Sequence, residues 1–206
     1  VRARYIAGQI DGQPVQAYAP PDGSEVETFV GVTAHIDNWR WAGVPFHLVT
    51  GKRMAERSTV VTVTLKPVSH WLFERPDGAH AAPNRLIFRL QPQEDIELGL
   101  MSSLAGPEWG TLELHPLELE LSSQTGHDRR IAYERLFIDA LNGSHALFVR
   151  SDEVEAAWAW TDSVTEGWTS GDVPLAYYPA GTQGPREAAH FLPAQFDAVG
   201  RPARRS

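Results

Sequence analysis

The sequence has 206 residues, a formal charge of −8 and no cysteine, which excludes disulfides, thiolate metal sites and a cysteine nucleophile. Its 42% hydrophobic content and seven tryptophans fit a packed core rather than disorder, and an acidic balance without a basic stripe speaks against a nucleic-acid partner. No run of about 20 apolar residues is present to span a membrane and no leader segment opens the chain, so a cytoplasmic protein without a membrane partner is expected.

Val1–Tyr5 reads as a short strand or the exit from a preceding element, and the opening "VRARYIAGQIDG" reads like the middle of a longer chain. Gly8 to Glu27, with Pro14, Pro20, Pro21 and Gly23, reads as loop or linker. "TFVGVTAHIDN" alternates Phe29, Gly31, Thr33 and His35 against Val30, Val32, Ala34 and Ile36, as in a central strand. "VPFHLVT" is the next strand, and the turn "GKRMAER" separates it from the β-branched run "STVVTVTLKP". "HWLFERPDGAHAAP" reads as loop. "NRLIFRLQP", "DIELGLMS" and "TLELHPLELELSS" each alternate, with one face expected wet and a bulge-like break expected at His115–Pro116.

The period then turns helical. "RIAYERLFIDALNG" places Ile131, Leu136, Ile138 and Leu141 at expected buried positions and stops at Gly143, a C′ glycine. "SDEVEAAWAWTDSVTEGW" starts with Ser151 as expected N-cap and carries Val154, Trp158, Thr161, Val164 and Trp168 on one face. "PLAYYPAGTQGPREAAHFLP" reads as a Pro/Gly loop leading into a short helix, and "DAVGRPARRS" as a mobile tail. Strands followed by helices predict an α+β fold: a large, mainly antiparallel sheet with helices packed on one face. A sheet face that outruns its helical cover predicts dimerisation.

Few residues carry a chemical motif. "GVPFHLVTGKR" is not a phosphate loop, because Phe46 stands where its first glycine belongs and Arg53 follows the lysine. There is no G-x-G-x-x-G fingerprint, and the histidines lack metal-ligand spacing, so no metal site is expected. Ser58 and Ser69 lack a nucleophile-elbow setting. The turn itself is different. It gathers Lys52, Arg53 and Arg57 against Glu56 alone, in a chain with only two lysines, Lys52 and Lys66. Charges on a turn are ordinarily a solvated hairpin end. The functional reading is a site for a dianion such as a phosphate ester, met by Lys as a point charge and by Arg as a planar fork. Local cations would be needed there because the net charge repels an anion.

"VPFHLVTGKRMAER" resembles the GVPF…GK…R stretch of glucose-6-phosphate dehydrogenases. The resemblance continues through "FVGVTAHIDNWRWAGVPF", "RLIFRLQPQE", "AYERLFIDALNGSHALFVRSDEVEAAW" and "YPAGTQGP", covering roughly residues 1–192 in family order. It points to the C-terminal part of such enzymes, and implies an entry segment and linker over 1–27, the α+β domain over 28–192 and a tail over 193–206. It implies that Lys52, Arg57 and Gln91 bind the substrate, glucose 6-phosphate, and that a homodimer forms through the sheet.

Departures from the family carry their own expectations. The coenzyme loop G-x-x-G-x-L-A and the DHYLGK segment are not in this sequence. No catalytic residue or coenzyme-binding residue is therefore expected in the chain; NADP would be bound mainly by an N-terminal domain, and the chain alone is expected to be inactive. Family positions that hold an additional structural NADP in animal enzymes are here Ser58, Glu97 and Gly99, with only Arg89 matching, so no structural NADP is expected. The implied activity is NADP-dependent oxidation of glucose 6-phosphate to the lactone, in the pentose phosphate pathway. The rivals are a stand-alone dimerisation or sugar-phosphate-binding module and, more weakly, a carbohydrate-binding domain using Trp39, Trp41 and Trp71.

Overall fold

The structure is a computed structural model that describes residues 1–67, 83–92, 94–105, 112–122, 132–171 and 173–191. Its strands are β1 (Arg2–Ile6), β2 (Gly8–Ile10), β3 (Gln13–Val15), β4 (Phe29–Ala34), β5 (Phe46–Gly51), β6 (Thr59–Thr64), β7 (Arg85–Gln91), β8 (Asp95–Ala105), β9 (Leu112–Ser122) and β10 (Leu175–Pro179). Helices α1 (Ala132–Leu141) and α2 (Ser151–Thr169) lie between β9 and β10, and a 3-10 turn over Arg186–Phe191 follows. The fold is α+β.

The strands divide between two four-stranded sheets and a ribbon. The first sheet has the order β10-β1-β4-β5, with β10 parallel to β1 and the other pairs antiparallel. The second is antiparallel throughout, in the order β6-β7-β8-β9. β2 and β3 pair as a hairpin, so the segment read as linker begins with regular structure. The chain from β5 to β6 is consequently a crossover from one sheet to the other, and the cationic turn is not a hairpin end.

Ala3, Phe29, Tyr178, Ala188 and Phe191 form the buried cluster of the first sheet, with Val1, Tyr5, Met54 and Ala176 packed against it. Tyr178 lies edge-on to Phe29 at 5.7 Å and to Tyr5 at 6.4 Å. Phe191 brings the 3-10 turn over β4, its ring above Gly31. β10 supplies Tyr178 and was read from sequence as loop. Pro174 and Pro179 bracket it and break the pattern, but an edge strand needs only one row of ladder bonds, and β10 gets them from β1.

In the second sheet the alternation of β7 and β8 is as expected, but its polarity is reversed. Arg85, Ile87, Arg89 and Glu97 are buried, whereas Leu90 and Ile96 are exposed. Ile87 registers opposite Glu97, Arg89 opposite Asp95 and Arg85 opposite Gly99, so the charged residues share one face. Arg89 donates to Asp95 at 2.9 Å and to Glu97 at 2.7 Å, and Arg85 lies 3.6 Å from the other Glu97 oxygen. Charged side chains tolerate burial when they are mutually paired, which residue type alone does not reveal. Burial would lower the Arg89 pKa, but the hydrogen bonds to Glu97 and Asp95 outweigh it and raise the pKa above its ordinary value. The opposite face leaves Val61, Val63, Ile96, Leu117 and Leu119 exposed.

The break expected at His115–Pro116 is not there: Met101 pairs with Pro116 and Ser102 with His115 in unbroken register. Helix α1 ends as expected. Gly143 has φ +69°, Gly143 N–H donates to the Ala140 carbonyl and Ser144 N–H to the Asp139 carbonyl, a Schellman closure. Of its expected buried positions, Leu136 is half-buried, Ile138 and Leu141 are exposed, and Ile131 lies outside the described residues. Helix α2 is capped one residue earlier than expected, by Arg150, whose backbone N–H donates to Glu153 at 3.2 Å. Trp168 is buried, Val164 is half-buried, and Val154 and Trp158 are exposed. Among the described residues, little covers that helical face. The loop read over 70–83 falls largely outside the described residues, as do Trp71 and the tail.

Candidate functional site

The crossover from β5 to β6 carries Lys52, Arg53 and Arg57, all exposed. Its backbone is fixed from two directions. Lys52 N–H donates to the Thr28 carbonyl at 2.8 Å, and the Lys52 carbonyl accepts from the Tyr178 hydroxyl at 2.6 Å. Gly181 N–H donates to the Arg53 carbonyl at 2.8 Å, and Ala55 N–H to the Thr182 carbonyl at 2.9 Å. Arg53 takes φ +51°, a left-handed conformation that costs a non-glycine residue energy and is sustained here by the surrounding bonds. Met54 turns inward on the core cluster. The turn therefore presents exposed cationic side chains on a hydrogen-bonded backbone.

Gly51 explains why glycine precedes the lysine. A Cβ at that position would stand 2.7 Å from the Met54 sulfur and 2.8 Å from the Phe29 ring, closer than packing allows.

Gln91 ends β7 and is exposed. It registers opposite Thr59 at the start of β6, only two residues after Arg57. The β6–β7 pairing thus brings Gln91 to the same end of the crossover as Arg57, which no local spacing in the sequence indicates. The bond from Gln91 to Pro92 is cis.

Tyr178 is fully buried, and burial pushes its phenol above the ordinary range, so it is a neutral donor at physiological pH. Its shortest contact is the Lys52 carbonyl at 2.6 Å, with the Thr28 carbonyl farther away at 3.2 Å. The Thr28 hydroxyl accepts from Tyr5 N–H at 2.8 Å and lies 3.2 Å from the Tyr178 oxygen. Tyr178, Thr28, Gly181 and Thr182 were not found by sequence reasoning. The aromatic run "AYYP" next to a glycine was the available signal, and the flanking prolines masked it.

Other features bear on the rival readings. Trp39 is 95% exposed, while Trp41 packs edge-on against Phe46 at 5.4 Å. Among the described residues no cluster of three or more metal-ligating side chains occurs, and no helix is long and apolar enough to cross a membrane.

Comparison with known proteins agrees with the resemblance read from the turn. Residues 1–198 match the family described as "Glucose-6-phosphate dehydrogenase, C-terminal domain". The chain is 42% identical to a glucose-6-phosphate 1-dehydrogenase of Rhizobium meliloti over 93% of its own length and 40% of that protein's. It is 44% identical to the enzyme of Mycolicibacterium smegmatis, over 93% and 39%. A solved glucose-6-phosphate dehydrogenase in complex with its substrate superposes with a TM-score of 0.76 at 26% identity, covering all of this chain and 41% of that one. The structure from Mycobacterium avium gives 0.68 at 28% identity, covering 93% and 38%. The chain spans about two-fifths of the length of these relatives. It belongs to the glucose-6-phosphate dehydrogenase family, as a C-terminal domain.

Proposed function

We propose that this chain is the substrate-binding and subunit-pairing portion of an NADP-dependent glucose-6-phosphate dehydrogenase. One observation carries the reading: the cations of the β5–β6 crossover stand on a backbone tied at four points, with Gln91 brought alongside by the β6–β7 register. Lys52 and Arg57 hold the phosphate and sugar oxygens, and Gln91 forms the adjoining wall. Each charge-assisted bond contributes about 1.5–3 kcal/mol. These groups bind and orient; they do not move the hydride. The hydride passes to NADP, and the residues that hold the coenzyme and abstract the proton lie outside this chain.

A second, structural NADP does not suit the residues present. Arg89 is committed to Asp95 and Glu97, and the Glu97 carboxylate on that face opposes a phosphate. We therefore derive no role for such a nucleotide. A homodimer through the second sheet is supported by the exposed row of Val61, Val63, Ile96, Leu117 and Leu119, a contiguous apolar surface of the kind that marks an interface.

Equilibrium titration tests the binding claim. Glucose 6-phosphate is expected to saturate the protein, while glucose at tenfold higher concentration leaves it unoccupied. Equal affinity for both sugars, or no binding of the ester, would contradict it.

A further inference from the structure

We propose that Tyr178 is a positioning residue for substrate binding, acting through the main chain of Lys52. The inference rests on the reading of Lys52 as a substrate ligand. Tyr178 lies 126 positions along the chain from Lys52 and is wholly buried, yet its hydroxyl donates to the Lys52 carbonyl at 2.6 Å. The bond is one link in a connected series. Tyr5 N–H donates to the Thr28 hydroxyl, the Thr28 hydroxyl lies 3.2 Å from the Tyr178 oxygen, and the Tyr178 hydroxyl donates to the Lys52 carbonyl. Hydrogen bonds in such a series polarise one another.

The same residue is tied at its other backbone group, because Lys52 N–H donates to the Thr28 carbonyl. Both backbone polar groups of Lys52 are thus engaged, and the residue's freedom is confined to its side chain. A flexible lysine binds a dianion more tightly when its Cα is fixed, because less disorder is lost on binding. Arg53, next in the chain, sits at φ +51°. A turn containing such a residue relaxes toward ordinary backbone angles when an anchor is removed. Tyr178 therefore holds Lys52 in the conformation that meets the substrate, although it touches no substrate atom itself.

The test uses the full-length polypeptide that carries this chain. Tyr178→Phe keeps the ring against Phe29 and Tyr5 and removes the hydroxyl, with its short bond to Lys52 and its longer contacts to Thr28. It is expected to raise KM for glucose 6-phosphate about three- to tenfold, the effect of one neutral hydrogen bond, with kcat and KM for NADP within twofold of wild type. In a Lys52→Ala background the same change should add nothing. Incorporating 4-aminophenylalanine at position 178 restores a donor and should restore KM, whereas 4-fluorophenylalanine should not. That pair also gives the answer where the phenylalanine variant fails to fold.

Ile87→Val, a core change in the other sheet, serves as the control for general destabilisation. A KM increase in Ile87→Val equal to that in Tyr178→Phe overturns the inference. If Lys52→Ala raises KM but Tyr178→Phe does not, the inference fails alone. If Lys52→Ala leaves KM unchanged, the reading of the site fails with it.

Discussion

Arg89 and Glu97, on adjacent strands of the second sheet, meet at 2.7 Å with their side chains only 10% and 5% exposed. Glu97 also lies 3.6 Å from Arg85, so one carboxylate answers two buried cations. Removing it takes one anionic contact from each arginine. Glu97→Ala should cost about 3–5 kcal/mol in denaturant unfolding, far more than a surface substitution. A single-site cost below about 1 kcal/mol would mean the pairing is solvent-screened.

Tyr178 gives the protein an alkaline weakness. Burial raises its phenol pKa above the value of about 10 found in an unfolded chain. The stability it contributes is therefore complete below about pH 10 and is lost as pH rises through the higher folded-state value. Wild-type Tm should fall above pH 10 more steeply than that of Tyr178→Phe, which has no such proton to lose. Parallel curves for the two proteins would contradict the assignment.

At Gly51 the methyl group of an alanine meets Met54 and Phe29. Gly51→Ala should destabilise by about 1–3 kcal/mol through overpacking and, by shifting the turn, raise KM for glucose 6-phosphate. Adding Met54→Ala should relieve only the clash with the sulfur, because the Phe29 ring still stands 2.8 Å from the new methyl group. A Gly51→Ala protein with stability and KM both unchanged would contradict the packing account.

Helix α1 offers a simpler check. Gly143 holds φ +69°, with no neighbour among the described residues that a methyl group would strike. Gly143→Ala should therefore cost only the left-handed backbone penalty, about 1 kcal/mol. A loss above about 2 kcal/mol by thermal unfolding would contradict a purely backbone cost.

What was legible in the sequence follows from how far each signal reaches. β4, β5, β6 and β7 could be read because β-branched and alternating residues report a local preference. The Schellman end at Gly143 could be read for the same reason. The buried face of β7 and β8 could not, since Arg85, Arg89 and Glu97 have the composition of a wet face and become a buried one only by pairing across strands. The faces of α1 and α2 were overestimated because periodicity shows which side is apolar and not whether anything covers it.

The site divides along the same line. Lys52 and Arg57 stand out as cations crowded into one turn, Lys52 being one of two lysines in the chain, and Gln91 enters through family resemblance. The supports at Thr28, Tyr178, Gly181 and Thr182 depend on contacts between distant parts of the chain. Their partner strand was itself disguised by two prolines.

The measurement that tests the central claim most directly is steady-state kinetics of Arg57→Ala in the full-length polypeptide. The account predicts a KM for glucose 6-phosphate raised at least tenfold, the loss of a charge-assisted bond of about 1.5–3 kcal/mol, with kcat changed little and KM for NADP unaltered. A fall in kcat with KM for glucose 6-phosphate unchanged would contradict it, because Arg57 would then act on the transition state and not on the bound substrate.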